Sequence, residues 1–178
     1  KHINYDGLFL NAGMLIKGSI FDISIEDIQK VVNLNVWSNI FIIKHLQNNI
    51  NNGSSIVFND SDQCFVAKSN SFAYTMSKGA IAQMTKSLAI DLAKEKIRVN
   101  TVCPGTVDTD LYRGLINKYA KSVNKTFSQV NDEEASEFPL GRIANPKEVA
   151  DLVYFLLSDK SEFMTGSLIP IDGGYTAK

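Results

Sequence analysis

Four short apolar runs, each halted by turn-forming residues and each followed by a longer stretch, constrain this chain most. Leu8-Phe9-Leu10 stops at Asn11-Ala12-Gly13, and Ser55-Ile56-Val57-Phe58 stops at Asn59-Asp60-Ser61-Asp62. The run from Ile97 to Cys103 stops at Pro104-Gly105, and Leu168-Ile169-Pro170-Ile171 stops at Asp172-Gly173-Gly174. Runs this short and this apolar read as strands buried on both faces. Before the first of them, Asp6-Gly7 reads as a turn. Segments of helical spacing lie between the runs. Ser24 with Asp27 resembles a capping box. It opens a stripe of Ile28, Val31, Val32, Asn35, Val36, Ile40, Ile43 and Leu46, which Asn51-Asn52-Gly53 ends. The helix containing Tyr74 carries Ile81, Thr85, Leu88, Ala89 and Leu92 on one side. Residues 110–138 are polar and mostly helical in pattern, with Leu111, Leu115 and Tyr119 spaced by four. Asn145-Pro146 caps a last helix whose inner face is Val149, Leu152, Val153 and Leu156. Strands alternating with helices predict a three-layer α/β/α fold around a parallel sheet, as one domain over residues 1–178.

In such a sheet ligands bind beyond the carboxyl ends of the strands. Asn11, Ser61 and Pro104-Gly105 directly follow strands, so they converge on one rim, and the Tyr74 helix leaves the same rim. Tyr74 and Lys78 are four residues apart, which puts them on one helix face with Cβ atoms about 6 Å apart. A phenol is a poor proton shuttle at neutral pH, and a fixed cation beside it favours the phenolate. The two make a plausible general acid/base pair. In isolation they would read as an exposed helical pair. Convergence of the strand ends makes a site the better reading. Asn35 sits inside an apolar stripe, where a satisfied core amide is the ordinary explanation.

The charge balance of 18 basic against 19 acidic residues gives no argument for a nucleic-acid partner or an acidic membrane. Cys64 and Cys103 match no metal spacing and read as small core residues of a reducing, cytoplasmic compartment. No apolar run approaches membrane-spanning length, and no secretory leader is read. The chain starts at Lys1 rather than a methionine, which suggests sequence upstream.

Taken together, these residues resemble the short-chain dehydrogenase/reductase family over essentially the whole chain. Asn11-Ala12-Gly13 is similar to the end of its Asn-Asn-Ala-Gly motif, with Leu10 in place of the first asparagine. Asn35 falls where the family keeps a catalytic asparagine. Ser61 stands thirteen residues before Tyr74, and Tyr74 with Lys78 forms the Tyr-xxx-Lys signature. Pro104-Gly105-Thr106-Val107-Asp108-Thr109 resembles the loop that reaches the nicotinamide carboxamide. Gly141-Arg142-Ile143, Pro146, Glu148, Thr165-Gly166 and Asp172-Gly173-Gly174 resemble the C-terminal pattern. Asp60 departs from it, standing where a serine or threonine commonly precedes the catalytic serine.

The resemblance implies a Rossmann-like fold of which strands 4-5-6-7 are present. It also implies NAD- or NADP-dependent interconversion of a secondary alcohol and a ketone on a small-molecule substrate. Tyr74 would move the hydroxyl proton, Lys78 would lower the Tyr74 pKa and hold the nicotinamide ribose, and Ser61 would bind the substrate oxygen. Asn35 would hold a water behind Lys78, its backbone freed by a helix irregularity. Asn11, Ala12, Gly13, Tyr74, Lys78, Pro104, Gly105, Val107 and Thr109 would contact the cofactor, and Thr109 could also cap the helix that follows it. No metal is implied. The lid over 110–138, with Tyr112, Asn117, Lys118 and Lys121, favours a small polyol, sugar or hydroxy acid. Trp37 and Phe41 outside the main stripe, with Met84 and Leu88, imply a homo-oligomer, either dimer or tetramer.

No Gly-rich turn precedes Asn11, so the resemblance also implies about three further βα units upstream, roughly 80–90 residues. A chain of only these residues is expected to be inactive, because nothing in it would hold the pyrophosphate. Two rival readings stand beside the enzyme. One is a truncated, inactive domain serving as a structural or interaction module. The other is a transferase-like Rossmann domain, which would need no Tyr-xxx-Lys after a strand-end serine.

Overall fold

A computed structural model describes residues 3–178. Its strands are β1 (Tyr5–Leu10), β2 (Ile50–Asn59), β3 (Arg98–Pro104) and β4 (Leu168–Ile171), all parallel in the order β1-β2-β3-β4. Helices α1 (Ile25–Val32) and α2 (Ser38–Leu46) join β1 to β2, and α3 (Phe72–Asp91) joins β2 to β3. Helices α4 (Asp110–Ser122), α5 (Phe127–Ser136) and α6 (Pro146–Leu157) lie between β3 and β4. This is the α/β class that the apolar runs predict.

The central runs are strands because both of their faces are covered. Ile56, Phe58 and Val99 pack with Ile81 and Ala89 of α3, whereas Val57 and Val102 pack with Val149, Val153 and Leu156 of α6. Alternate residues of a strand point to opposite faces, so neighbours in sequence serve different layers. Each fully buried side chain of this size contributes about 1.5–3 kcal/mol relative to exposure. Arg98 then ties β3 to the end of α6. Its guanidinium donates to the carbonyls of Leu156 at 2.9 Å and Ser158 at 3.0 Å, and to Ser161 Oγ at 2.9 Å. Those carbonyls lack intrahelical partners at a helix C-terminus, where a cation is also favoured. At the other end of α6, Asn145 accepts from Lys147 N while Glu148 returns to Asn145 N, a complete capping box.

Two local expectations are corrected. Asp6-Gly7 is not a turn but part of β1, and Asn51-Asn52-Gly53 lies inside β2 rather than ending a helix. Tyr5 pairs with Ile50 and Gly7 with Ser55, so the extra residues of β2 are absorbed by an irregularity in which Gly53 takes a φ of 85°. Asn51 Nδ2 donates to Asp6 Oδ1 at 2.7 Å, so these polar residues satisfy each other across the strands. The line Leu111 and Tyr119 of α4 faces outward, at 56% and 55% exposure, while Tyr112 and Ala120 are the buried pair.

Candidate active site

The site grows from the carboxyl end of β2. Asn59 Nδ2 donates to Asn11 Oδ1 at 2.7 Å, joining the ends of β1 and β2. Asp60 N donates to Val102 O at 2.9 Å, which carries the sheet's bonding one residue past β2. The chain then turns at Ser61, whose Oγ accepts from Gln63 N at 3.2 Å and donates to Asp62 Oδ1 at 2.7 Å. This caps a short 3-10 turn over Asp62–Cys64. Thr75 Oγ1 donates to Gln63 Oε1 at 2.8 Å and so fastens the turn to the start of α3. Ser61, Tyr74 and Lys78 are thereby brought together, although Ser61 lies outside the helix.

Lys78 is buried, and its Nζ donates to Asn59 O at 2.9 Å. The same nitrogen is 4.0 Å from Asp60 Oδ1 and 5.3 Å from the centre of the Tyr74 ring. Burial lowers the Lys78 pKa, with Asp60 opposing the shift. Burial also pushes the Tyr74 phenol up to about 12, with Ser61 pulling the other way and Asp60 and Asp62 adding to the rise. The expected lowering of Tyr74 by Lys78 is therefore not met in this structure. The ammonium is engaged with Asn59 and Asp60, and two carboxylates near the phenol disfavour its charged form.

Asn35 is fully buried at the centre of a π-helical turn over Asn33–Trp37 that separates α1 from α2. The irregularity is where the resemblance puts it. The side chain, however, is occupied by protein. Its Oδ1 accepts from Met14 N at 2.8 Å, and its Nδ2 donates to Met14 O at 3.0 Å and Ser77 Oγ at 2.9 Å. Ser77 Oγ in turn donates to Tyr74 O at 2.7 Å. Asn35 O accepts from Asn39 Nδ2 at 2.7 Å, so that carbonyl has a side-chain partner. Asn35 braces the loop after β1 against the Tyr74 turn of α3.

Asn11, Ala12 and Gly13 are exposed beside this brace. Pro104 is buried at the end of β3, and Val107 bridges to Ala144. A side chain at Gly105 would come within 2.7 Å of the Phe138 ring and 3.1 Å of Asp172 Cα, so the close approach of the lid requires glycine there. Thr109 Oγ1 accepts from Tyr112 N at 3.3 Å and caps α4, the structural role considered for it. The rim nonetheless suits the nicotinamide-riboside end of a dinucleotide. Asn59 Oδ1 is buried there with no hydrogen donated to it among the described residues, and Lys78 supplies an ammonium with three donor hydrogens.

The lid departs from expectation. Tyr112 is buried and donates to Asn131 Oδ1 at 3.1 Å, joining α4 to α5, while Asn117, Lys118 and Lys121 are exposed. The loop after the Ser61 turn adds an ion pair that the sequence did not single out. Lys68 Nζ lies 2.9 Å from Asp62 Oδ2 and 4.4 Å from the centre of the Tyr175 ring. It links the Ser61 turn to the C-terminal segment. Asp62 in a strand-end polar cluster is the available signal; Lys68 follows in irregular chain, where no period predicts the pairing.

A family model described as Enoyl-(Acyl carrier protein) reductase matches residues 1–176. Versicolorin reductase 1 of Aspergillus parasiticus is 31% identical over 98% of this chain and 68% of its own length. The crystal structure of a short chain dehydrogenase family protein from Francisella tularensis subsp. tularensis SCHU S4 superposes with a TM-score of 0.98 at 72% identity. That match covers 99% of this chain and 73% of the other. Ligand-free aldohexose dehydrogenase of Thermoplasma acidophilum has a TM-score of 0.91 at 31% identity, over 98% of this chain and 69% of its own. The chain spans about two thirds of the length of the curated relatives it matches.

Proposed function

The chain belongs to the short-chain dehydrogenase/reductase family, and we propose that it interconverts a secondary alcohol and a ketone on a small hydroxylated substrate with NAD or NADP. The observation that carries this is the convergence of Ser61, Tyr74 and Lys78 beyond the carboxyl end of β2, where Lys78 Nζ donates to Asn59 O and lies 5.3 Å from the centre of the Tyr74 ring. When bound, the nicotinamide supplies or accepts the hydride. Tyr74 at neutral pH is a neutral phenol and donates its proton to the substrate oxygen during reduction; in the reverse direction it takes the hydroxyl proton. Ser61 Oγ turns from Asp62 to hydrogen-bond the same oxygen where charge develops. Lys78, held by Asn59 O, would offer its remaining hydrogens to the ribose hydroxyls. Asn35 fixes the loop after β1, from which Asn11, Ala12 and Gly13 would contact the cofactor, and Pro104, Gly105, Val107 and Thr109 would hold its carboxamide end. The name of the aldohexose dehydrogenase, 31% identical to this chain, supports a polyhydroxylated substrate. The test is a panel of sugars, polyols and hydroxy acids given to the full gene product with NAD or NADP, followed by cofactor absorbance. Reduction of cofactor by at least one secondary alcohol supports the reading. No turnover with either cofactor in both directions counts against it and favours an interaction module.

We also propose that the chain self-associates. Trp37 and Phe41 stack at 5.7 Å between ring centres while 47% and 64% exposed, an aromatic pair that a two-fold contact would cover. Met84 and Leu88 are partly buried against the core and line a groove with Ile40 and Ile43 next to that pair.

A further inference from the structure

Cys64 and Cys103 lie 39 positions apart, yet their sulfurs are 3.5 Å from each other. Cys103 is fully buried near the end of β3, and Cys64 is half-buried as the last residue of the 3-10 turn that Ser61 caps. The Asp60 carboxylate and the two sulfurs fall within 4.8 Å of one another. Both Asp60 oxygens are buried with no hydrogen-bond partner among the described residues, and Lys78 Nζ lies 4.0 Å away. Three groups with related chemistry thus meet directly behind Ser61.

We propose that this pair is a peroxide-sensitive thiol switch, in which a Cys64–Cys103 disulfide clamps the Ser61 turn to β3. Cys64 is the entry point because it is the more exposed of the two. Its proton passes to Asp60, and the thiolate attacks one oxygen of hydrogen peroxide. An S–O bond forms, the O–O bond breaks, and the leaving hydroxide is protonated to water. Cys64 is then a sulfenic acid. Cys103 sulfur attacks Cys64 sulfur; the S–S bond forms, the S–O bond breaks, and the Cys103 proton leaves with the hydroxide as a second water. Two thiols are oxidised and one peroxide is reduced. A dithiol reverses the reaction by exchange.

The sulfurs must close from 3.5 Å to about 2.05 Å. Cys103 is held by the β3 ladder opposite Pro170, so the movement falls on the turn. Cys64 N donates to Ser61 O at 3.0 Å, and the pull therefore reaches Ser61 directly. The consequence for turnover rests on the oxidoreductase reading; the thiol chemistry does not.

The experiment treats the reduced full gene product with a small molar excess of hydrogen peroxide and maps its peptides without reduction. The peptides bearing Cys64 and Cys103 are expected as one species, lighter by about 2 Da than their sum, and separate again after dithiothreitol. In Cys103→Ser, Cys64 is expected to accumulate sulfenic acid that dimedone traps; in Cys64→Ser, Cys103 stays reduced. Oxidation of Cys64 to sulfinic acid with Cys103 still alkylatable, or survival of both thiols, would overturn the proposal. In active protein, the crosslink should cut turnover several-fold and dithiothreitol should restore it. Unchanged turnover in fully crosslinked protein would overturn the clamp.

Discussion

Lys78 Nζ donates to the main-chain oxygen of Asn59 at 2.9 Å, which fixes the Tyr74–Lys78 face of α3 to the last residue of β2. Removing that ammonium takes a cation away from the buried Asp60 carboxylate and leaves Asn59 O without this donor. Lys78→Met is expected to lower turnover by about 10²-fold or more and stability by about 1–3 kcal/mol. Turnover assays with thermal unfolding check both. Near-normal turnover would remove Lys78 from the mechanism.

Asp60 gives a pH-dependent signature. Burial raises its pKa from 3.8 to about 7, with Lys78 opposing. A group whose pKa rises on folding gives stability that is complete below its unfolded pKa and lost as pH rises through the folded one. Asp60→Asn should therefore gain stability relative to the parent between about pH 4 and pH 7 and hold that gain above it, on the order of a few kcal/mol. Denaturant unfolding at pH 4, 6 and 8 measures it. A parallel pH profile in parent and variant would contradict the assignment.

Asn35→Ala should lose about 2–4 kcal/mol, because Met14 N, Met14 O and Ser77 Oγ all lose a partner. Cofactor affinity should fall as well, since the loop carrying Asn11 to Gly13 loses its brace. Equal affinity in a folded variant would make Asn35 purely a core amide.

Much of this architecture is legible in the sequence. Val57 and Val102 face α6 while Ile56 and Val99 face α3, so consecutive strand residues are all apolar, and such burial on both faces writes itself into local runs. Tyr74, Ser61 and Asn11 are readable because they directly follow strands or share one helix face. The contacts that are not readable depend on the path of irregular chain. Nothing near Cys64 indicates Cys103, and although Lys68 is close to Asp62 in sequence, the loop after β2 has no period that would pair them. The pairing of Tyr5 with Ile50 is hidden for a similar reason. Asn51-Asn52-Gly53 has turn composition, but the neighbouring strand supplies partners that let it stay extended.

The exposed Trp37–Phe41 stack predicts that Phe41→Glu shifts the gene product to a smaller species in sedimentation, with little loss of folded signal. An already monomeric parent at micromolar concentration would contradict self-association.

The Tyr74 phenol, held up at about 12 by burial, is the acid form throughout the neutral range. Ketone reduction should then be nearly independent of pH between 6 and 8, on the order of less than twofold, while alcohol oxidation rises toward tenfold per pH unit. Opposite slopes would point to a different proton carrier.

The most direct test of the central claim is Tyr74→Phe in the full gene product, assayed for turnover beside thermal unfolding. Only the proton-transferring hydroxyl is removed, and the aromatic ring is kept. The account predicts a loss of about 10²–10⁴-fold in turnover with the unfolding midpoint nearly unchanged. Turnover within a few-fold of the parent, in a variant of parental stability, would contradict it.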